Sequence, residues 1–243
     1  MSGAGYDLWY WPSIQGRGEF VRLLMEGAGI AYRDRAREDG VGALVDDMER
    51  RSEGGDSAPF APPYLVERES GFAIAQVAHI LAWLTDRHAL GTGDVAKDLH
   101  LIQLQLTISD IVAEAHNVHH AIAGSLYYED QKDAAIRAAK AFREERIPKF
   151  CAHFENALRM GDGPFVAGTQ WTHVDTSLFQ LVEGLRYAFP NCMAKAEGDY
   201  PGLIACHDAV STIDGIADYL ASDRRIAFNE DGIFRHYEEL DPA

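Results

Sequence analysis

The stretch Tyr6-Asp7-Leu8-Trp9-Tyr10-Trp11-Pro12-Ser13-Ile14-Gln15-Gly16-Arg17-Gly18-Glu19-Phe20-Val21-Arg22-Leu23-Leu24 changes its hydrophobic rhythm once. Tyr6 to Tyr10 is short and rich in aromatic residues, which favours a strand. Pro12, Ser13 and Gly16 then supply turn chemistry. Phe20, Leu23, Leu24 and Ala28 recur at helical spacing, and Gly29 is a helix stop. Ile30 to Arg35 reads as a second strand, so the chain opens β-α-β.

Working outward, Tyr64-Leu65-Val66 and Phe72-Ala73-Ile74 flank the turn signal Glu69-Ser70-Gly71 and predict a hairpin, followed by a helix over Gln76 to Asp86. Residues 37–61 are charged and rich in Gly, Ser and Pro and carry no assignable period. From Asp94 the pattern is helical. Leu99, Ile102, Leu106, Ser109 and Ala113 share one face of a long helix, and Ala134 to Met160 predicts a second long helix bent before Pro148. Gly161-Asp162-Gly163-Pro164 breaks it, Thr172 and Asp175 frame a capping-box-like start, and Pro201 opens a further helix. The expected fold is α+β: a small domain of β-α-β then β-β-α order over 1–88, followed by an all-α helical domain over 94–243.

Composition narrows the function. With 22 basic against 38 acidic residues, the net charge is −16. A polyanion such as nucleic acid, or an anionic membrane surface, is repelled. The longest apolar run, Phe72 to Leu84, is interrupted by Gln76 and His79 and is too short to span a bilayer. Cys151, Cys192 and Cys206 are few, odd in number and widely spaced. That pattern fits a reduced cytoplasmic location better than a disulfide framework. The start Met1-Ser2-Gly3-Ala4-Gly5 reads as lacking a signal peptide.

The order of elements and several short motifs resemble the cytosolic glutathione transferases. Tyr10-Trp11 at the strand end and Gly16-Arg17-Gly18-Glu19-Phe20-Val21-Arg22-Leu23-Leu24 at the helix start are similar to the opening of the tyrosine-type classes, mu and sigma especially. Pro63-Tyr64-Leu65 looks like the family's cis-proline and third strand. Gln76 is similar to the residue that opens its next helix, Ser109-Asp110-Ile111-Val112 to a stretch of its first long helix, and Thr172–Asp175 to a later helix start. Ser222-Asp223-Arg224-Arg225 and Phe234-Arg235-His236-Tyr237 are similar to its C-terminal segments.

The resemblance implies a thioredoxin-like fold for the first domain, glutathione as co-substrate, a small electrophile as second substrate, detoxification as the setting and a homodimer as the assembly. A thiol of pKa near 8.5 is mostly protonated at neutral pH, so the enzyme must stabilise the thiolate. Tyr10 is the first candidate for the hydroxyl that does so. Ser13, four residues before Arg17, is the second, at a spacing similar to the serine of theta-type members. The implied glutathione-binding set is Trp11, Arg17, Arg51, Pro62, Pro63, Gln76, Val77 and, reaching across a dimer, Asp110. The implied acceptor-substrate pocket takes Ser109, Ala113, His116 and His120.

Two positions depart from the pattern. Pro62 has no backbone N–H to give the cysteinyl part of glutathione, and Val77 replaces a serine hydroxyl. These departures keep an alternative alive, a transferase-fold binding or interaction protein with little catalysis. His116 and His120 share a helix face with Glu114 and His119 close by, yet no HExxH is present and a third ligand is not evident, so no metal is expected.

Overall fold

The computed structural model describes residues 5–54 and 58–243, so the expectation about Met1 to Ala4 falls outside the described residues. The chain divides into two units. The first comprises residues up to Gly91 together with Ile213–Ala227, and the second Thr92–Thr212 with Phe228–Ala243. The return of Ile213–Ala227 to the first unit differs from the boundary read in the sequence, which gave everything after residue 94 to the helical domain.

The first unit runs β1 (Tyr6–Trp9), α1 (Gly18–Gly27), β2 (Tyr32–Asp34), α2 (Arg35–Asp39), α3 (Val41–Glu53), β3 (Tyr64–Glu67), β4 (Ala73–Ala75) and α4 (Val77–Arg87). The strands form one mixed sheet in the order β2-β1-β3-β4. β1 pairs parallel with β2 and antiparallel with β3, placing Trp9 opposite Tyr64. Alternation along these strands sends Trp9, Tyr64 and Val66 to one face, where Ala36 and Leu44 cover them. Residues 41–53, which offered no readable period, are helical. Their single deeply buried apolar residue is Leu44, and Arg51 is the other buried position.

A buried charge network joins α1 to the return segment, whose helix α11 spans Asp214–Leu220. Arg22 and Glu19 are 0% exposed. Arg22 Nη1 donates to Glu19 Oε2 at 3.1 Å and Nε donates to Asp34 Oδ2 at 2.7 Å. Tyr219 donates its hydroxyl to Glu19 Oε1 at 2.8 Å, and Arg225 donates to the same oxygen. Burial alone would lower the Arg22 pKa, but Glu19 and Asp34 more than reverse it, so the guanidinium stays charged. Glu26 repeats the arrangement about two turns on, accepting from Tyr32 at 2.8 Å and from Arg224.

The second unit is helical: α5 (Val95–Val118), α6 (Lys132–Ala141), α7 (Ile147–Arg159), α8 (His173–Ala188), α9 (Pro190–Ala196) and α10 (Pro201–Ser211). A π-type turn over Phe142–Arg146 joins α6 to α7 immediately before Pro148, where the sequence called for a bend. The α8 start is a full capping box. Thr172 Oγ1 accepts from the Val174 N–H at 3.2 Å, and Asp175 Oδ2 accepts from the Thr172 N–H at 2.7 Å. α8 is buried along most of its length and packs on α5 and α10. On α5 the buried residues include Leu101, Leu104, Ile108, Ile111, Val112 and Ala115. Leu99 and Leu106, on the face picked out in the sequence, stand exposed.

The charge network predicts a large stability effect. Arg22→Leu leaves Asp34 without its cation and Glu19 with Arg225 alone, and is expected to cost about 3–5 kcal/mol. Tyr219→Phe, which leaves Arg225 on Glu19, is expected to cost about 1.5–3 kcal/mol or less. Urea unfolding monitored by circular dichroism measures both; an Arg22→Leu loss under about 1 kcal/mol would contradict the assigned role.

Candidate functional site

Tyr10 follows β1 and its ring turns beneath the loop that leads into α1. The side chain is 3% exposed. The Tyr10 hydroxyl accepts the Arg17 backbone N–H at 2.8 Å. This contact requires small residues above the ring. A Cβ at Gly16 would lie 2.2 Å from the Tyr10 oxygen, and one at Gly18 would lie 2.6 Å from the ring. Gly16 also has φ of +46°, a left-handed conformation that glycine adopts without a steric cost. The two glycines of the motif are therefore explained by the tyrosine packed under them.

Burial raises the Tyr10 pKa, and the Arg17 N–H and the charges of Arg17 and Arg22 only partly oppose it. The phenol accordingly keeps its proton at neutral pH. Because the oxygen already accepts one bond, the remaining proton is the group available for donation. No hydrogen bond or ion pair holds the Arg17 guanidinium among the described residues, and it adds positive potential beside the phenol. Ser13 is exposed in the preceding turn, and Trp11 is 39% exposed. Gln15 fixes this loop from below by donating to the Ile226 carbonyl.

The Pro62–Pro63 peptide bond is cis, as the motif implied. Pro63 is buried and Pro62 half-buried at the entry to β3. Gln76 precedes α4 with φ of +70° and ψ of 117° and an exposed side chain. A non-glycine residue there is outside the usual allowed regions, and such strain tends to persist where a surrounding structure needs it. The Gln76 side chain does not cap α4, and the first turn carries no acidic residue. The free N–H groups of that turn thus form a place for a carboxylate. Val77 begins the helix, half-buried and without a hydroxyl.

Arg51 behaves differently from its expected role. It is 7% exposed and donates Nε to Asp47 Oδ2 at 2.7 Å, with Arg50 on the other carboxylate oxygen and the Tyr64 hydroxyl on Oδ2 at 2.8 Å. Its charge is held inside this cluster rather than presented to a ligand.

In the second unit, Ser109, Ala113, His116 and His120 form a half-buried stripe along α5 and just beyond it. Ser109 donates to the Gln105 carbonyl at 3.1 Å. Asp110 is exposed, and no ion pair holds it among the described residues. The structure also brings His119, which the sequence reading set aside, onto His116 and His120, with one nitrogen from each ring within 4.8 Å of the others. Separately, a cavity of about 590 Å³ opens in this unit, lined by residues that include Lys97, His100, Leu101, Met160 and Thr169. None of the four stripe residues lines it.

Sequence reasoning quoted Glu19 and Arg22 within a motif but missed what they do. The available signal was a charge pair three residues apart in a helix otherwise apolar through Phe20, Val21, Leu23 and Leu24, where charges can only be buried and paired.

Comparison with known proteins gives a consistent picture. Residues 116–223 match the model of the glutathione S-transferase C-terminal domain. A glutathione S-transferase of Plasmodium yoelii yoelii is 20% identical over 88% of this chain and 92% of its own length. A class-mu 26 kDa glutathione S-transferase isozyme of Fasciola hepatica is 23% identical over 93% of this chain and 90% of its own length. Among solved structures, a pi-class glutathione S-transferase of Onchocerca volvulus aligns with a TM-score of 0.67 at 20% identity, covering 89% of this chain and 92% of that one. Rat hPGDS complexed with a quinoline aligns with a TM-score of 0.66 at 19% identity, covering 88% and 95%.

Gln76→Gly should relieve the positive-φ strain. Strain of about 1–3 kcal/mol less glycine's extra entropy cost of about 0.5–1 kcal/mol leaves a net gain of roughly 1 kcal/mol. Thermal unfolding of the two proteins tests this, with no rise in Tm as the contrary result.

Proposed function

We infer that this chain is a glutathione transferase, and we propose that it activates glutathione through Tyr10. The observation that carries the proposal is the Tyr10 hydroxyl, protonated, oriented by the Arg17 N–H at 2.8 Å and set beside an uncommitted guanidinium. A hydrogen bond donated by the phenol O–H to the glutathione sulfur stabilises the thiolate, whose proton leaves to solvent. A hydrogen bond to a charged group is worth about 1.5–3 kcal/mol. That lowers the thiol pKa by roughly one to two units, at about 1.36 kcal/mol per unit. The thiolate then attacks the electrophilic carbon, whose leaving group departs or whose π-electrons take up a proton.

The rest of the glutathione site is read around this hydroxyl. The α4 N-terminus and Gln76 receive the γ-glutamyl carboxylate, Trp11 and Arg17 flank the peptide, and the Pro62 carbonyl accepts from its cysteinyl N–H. Ser109, Ala113, His116 and His120 are proposed to line the acceptor-substrate pocket. The tyrosine-type assignment, mu- or sigma-like, rests on the same Tyr10 arrangement. A homodimer is supported by exposed Leu99 and Leu106 on the α5 face that continues to unpaired Asp110. The three cysteines are free, in keeping with a cytoplasmic protein. Among the described residues no helix is long and apolar enough to cross a membrane.

Tyr10→Phe is expected to raise the pKa of bound glutathione by roughly one to two units, with turnover at pH 6.5 falling in proportion to the lost thiolate. Ser13→Ala should leave both nearly unchanged. Ultraviolet titration of the thiolate reads the pKa directly, and a thiolate signal lost only in Ser13→Ala would transfer the role to serine. Glutathione binding with no turnover against any electrophile would instead favour the binding-protein alternative, which Pro62 and Val77 motivate.

Asp110→Asn keeps the side-chain shape and removes the charge proposed to meet the glutathione amine of a partner subunit. Glutathione affinity should fall by roughly tenfold, the loss of one charge-assisted hydrogen bond of about 1.5 kcal/mol, while Tm barely moves. Glutathione should also shift the monomer–dimer balance toward dimer, because a ligand favours the state that binds it. Calorimetric titration with sedimentation velocity tests both, and unchanged affinity in Asp110→Asn would remove this residue from the site.

A further inference from the structure

The histidines at the end of α5, two of them already proposed to line the acceptor-substrate pocket, make a second chemical feature that does not need glutathione. His116 lies in the last turn of the helix, His119 is the residue that ends it with φ of −91° and ψ of −1°, and His120 follows, its N–H donating to the Asn117 carbonyl at 3.2 Å. This geometry turns all three rings to one place. Ring centroids lie 4.8 Å apart for His116 and His120, 4.7 Å for His119 and His120, and 5.3 Å for His116 and His119. His119 is 2% exposed. Its Nε2 and the Nδ1 of His120 are buried atoms with no hydrogen-bond partner among the described residues. Buried polar atoms without partners are uncommon because desolvation is then uncompensated.

We propose that His116, His119 and His120 form a binding site for a divalent transition-metal ion, Zn2+, Cu2+ or Ni2+, with a coordination position left open to water or another small ligand. The donor set is all imidazole nitrogen, which suits these borderline metals and not the oxygen-seeking Mg2+ or Ca2+. Histidines four apart on a helix can share one metal ion, and His119, one turn from His116, supplies the third ligand. The nitrogens lie within 4.8 Å of one another and close to the roughly 3.3 Å spacing of tetrahedral zinc by small ring rotations. The site also sits at the C-terminal end of a 24-residue helix, where the exposed carbonyls favour a cation. Tyr237 and Tyr128, stacked with centroids 3.8 Å apart, stand on the His119 side. Arg235 opposes the cation, although its guanidinium is engaged by the Gly232 and Asp231 carbonyls. The affinity expected is therefore micromolar rather than that of a closed structural site.

The test uses the full-length chain, dialysed against a chelator and titrated with Zn2+ against a chromophoric zinc indicator, and with Cu2+ by electron paramagnetic resonance. About one zinc ion per chain is expected, and a copper spectrum with nitrogen hyperfine splitting from the imidazoles. His116→Asn, at a half-exposed position that folding tolerates, and His119→Gln should each weaken zinc binding by roughly tenfold or more. His153→Asn, at an exposed histidine elsewhere, should not. Absence of stoichiometric uptake, or uptake that His116→Asn and His119→Gln leave intact, overturns the proposal. So does equal loss in all three variants, the mark of scattered surface binding. No glutathione enters the assay, so its outcome is separate from that of the transferase reading.

Discussion

The ion pair between Glu19 and Arg22, both without exposed surface, is the constraint around which the first unit is organised. Two charges removed from water need partners inside the protein, because a buried charge left alone is far more costly than a missing apolar contact; among the described residues Arg22 Nη2 and Asp34 Oδ1 are the atoms of this network without a hydrogen-bond partner. The partners here come from three places. Asp34 on β2 takes one side of the guanidinium, while Tyr219 and Arg225 in the return segment take the remaining carboxylate oxygen. The Gln15 carbonyl also accepts from Arg22, at 3.4 Å, and the loop from Tyr10 to Gly18 is thereby tied to the same charges. The network fixes the floor of that loop, and the loop fixes the phenol. Catalytic geometry on such a segment depends on supports that touch no substrate.

The electrostatics of the chain divide by depth. The chain as a whole carries a net charge of −16, and most of its acidic residues are not buried. In the first unit most guanidinium groups are matched to carboxylates, among them Arg22, Arg33, Arg35, Arg51 and Arg87. Against that background, the unmatched Arg17 and the uncapped amino end of α4 are local exceptions of positive potential. Glutathione has two carboxylates, one at each end, with its thiol between them. On the proposed reading, a ligand of that charge pattern is repelled by the surface at long range and held where these exceptions lie, and salt screens the repulsion over about 10 Å at 0.1 M. Selectivity for a small anion over a large one follows from having positive potential only in a confined place.

Much of the fold was legible because its signals were local. The aromatic strand, the turn around Gly16, the hairpin, the break at Gly161–Pro164 and the capping box at Thr172 each declare themselves within a few residues. The helix over 41–53 did not, because its charged and small residues leave one apolar side chain, Leu44, fully buried. The long helix was recognised, but Leu99 and Leu106 were read with Ile102 as one face, while burial follows Leu101, Leu104 and Ile108. Apolar residues all round such a helix leave period alone unable to choose the face. At the site, Tyr10 and Pro63 were visible as motif residues. The engagement of Arg51 by Asp47 was not, since it depends on a helix the sequence did not show. His119 was set aside because the end of α5, where the chain leaves helical phase, decides where its ring points.

The return of residues 213–227 has a consequence for biosynthesis. Glu19 leaves the ribosome early, and its partners Tyr219 and Arg225 are separated from it by 200 and 206 residues. Until residues 219–225 have been made, the nascent amino-terminal sheet and α1 hold a charged pair whose last hydrogen bonds do not yet exist. The helical unit has residues 92–212 available before that point and awaits only Phe228–Ala243 after it. A stop codon placed shortly before Tyr219 would therefore keep α5 to α10 in the chain while leaving unfinished the half that carries Tyr10, and it would remove Phe228–Ala243 from the helical unit as well.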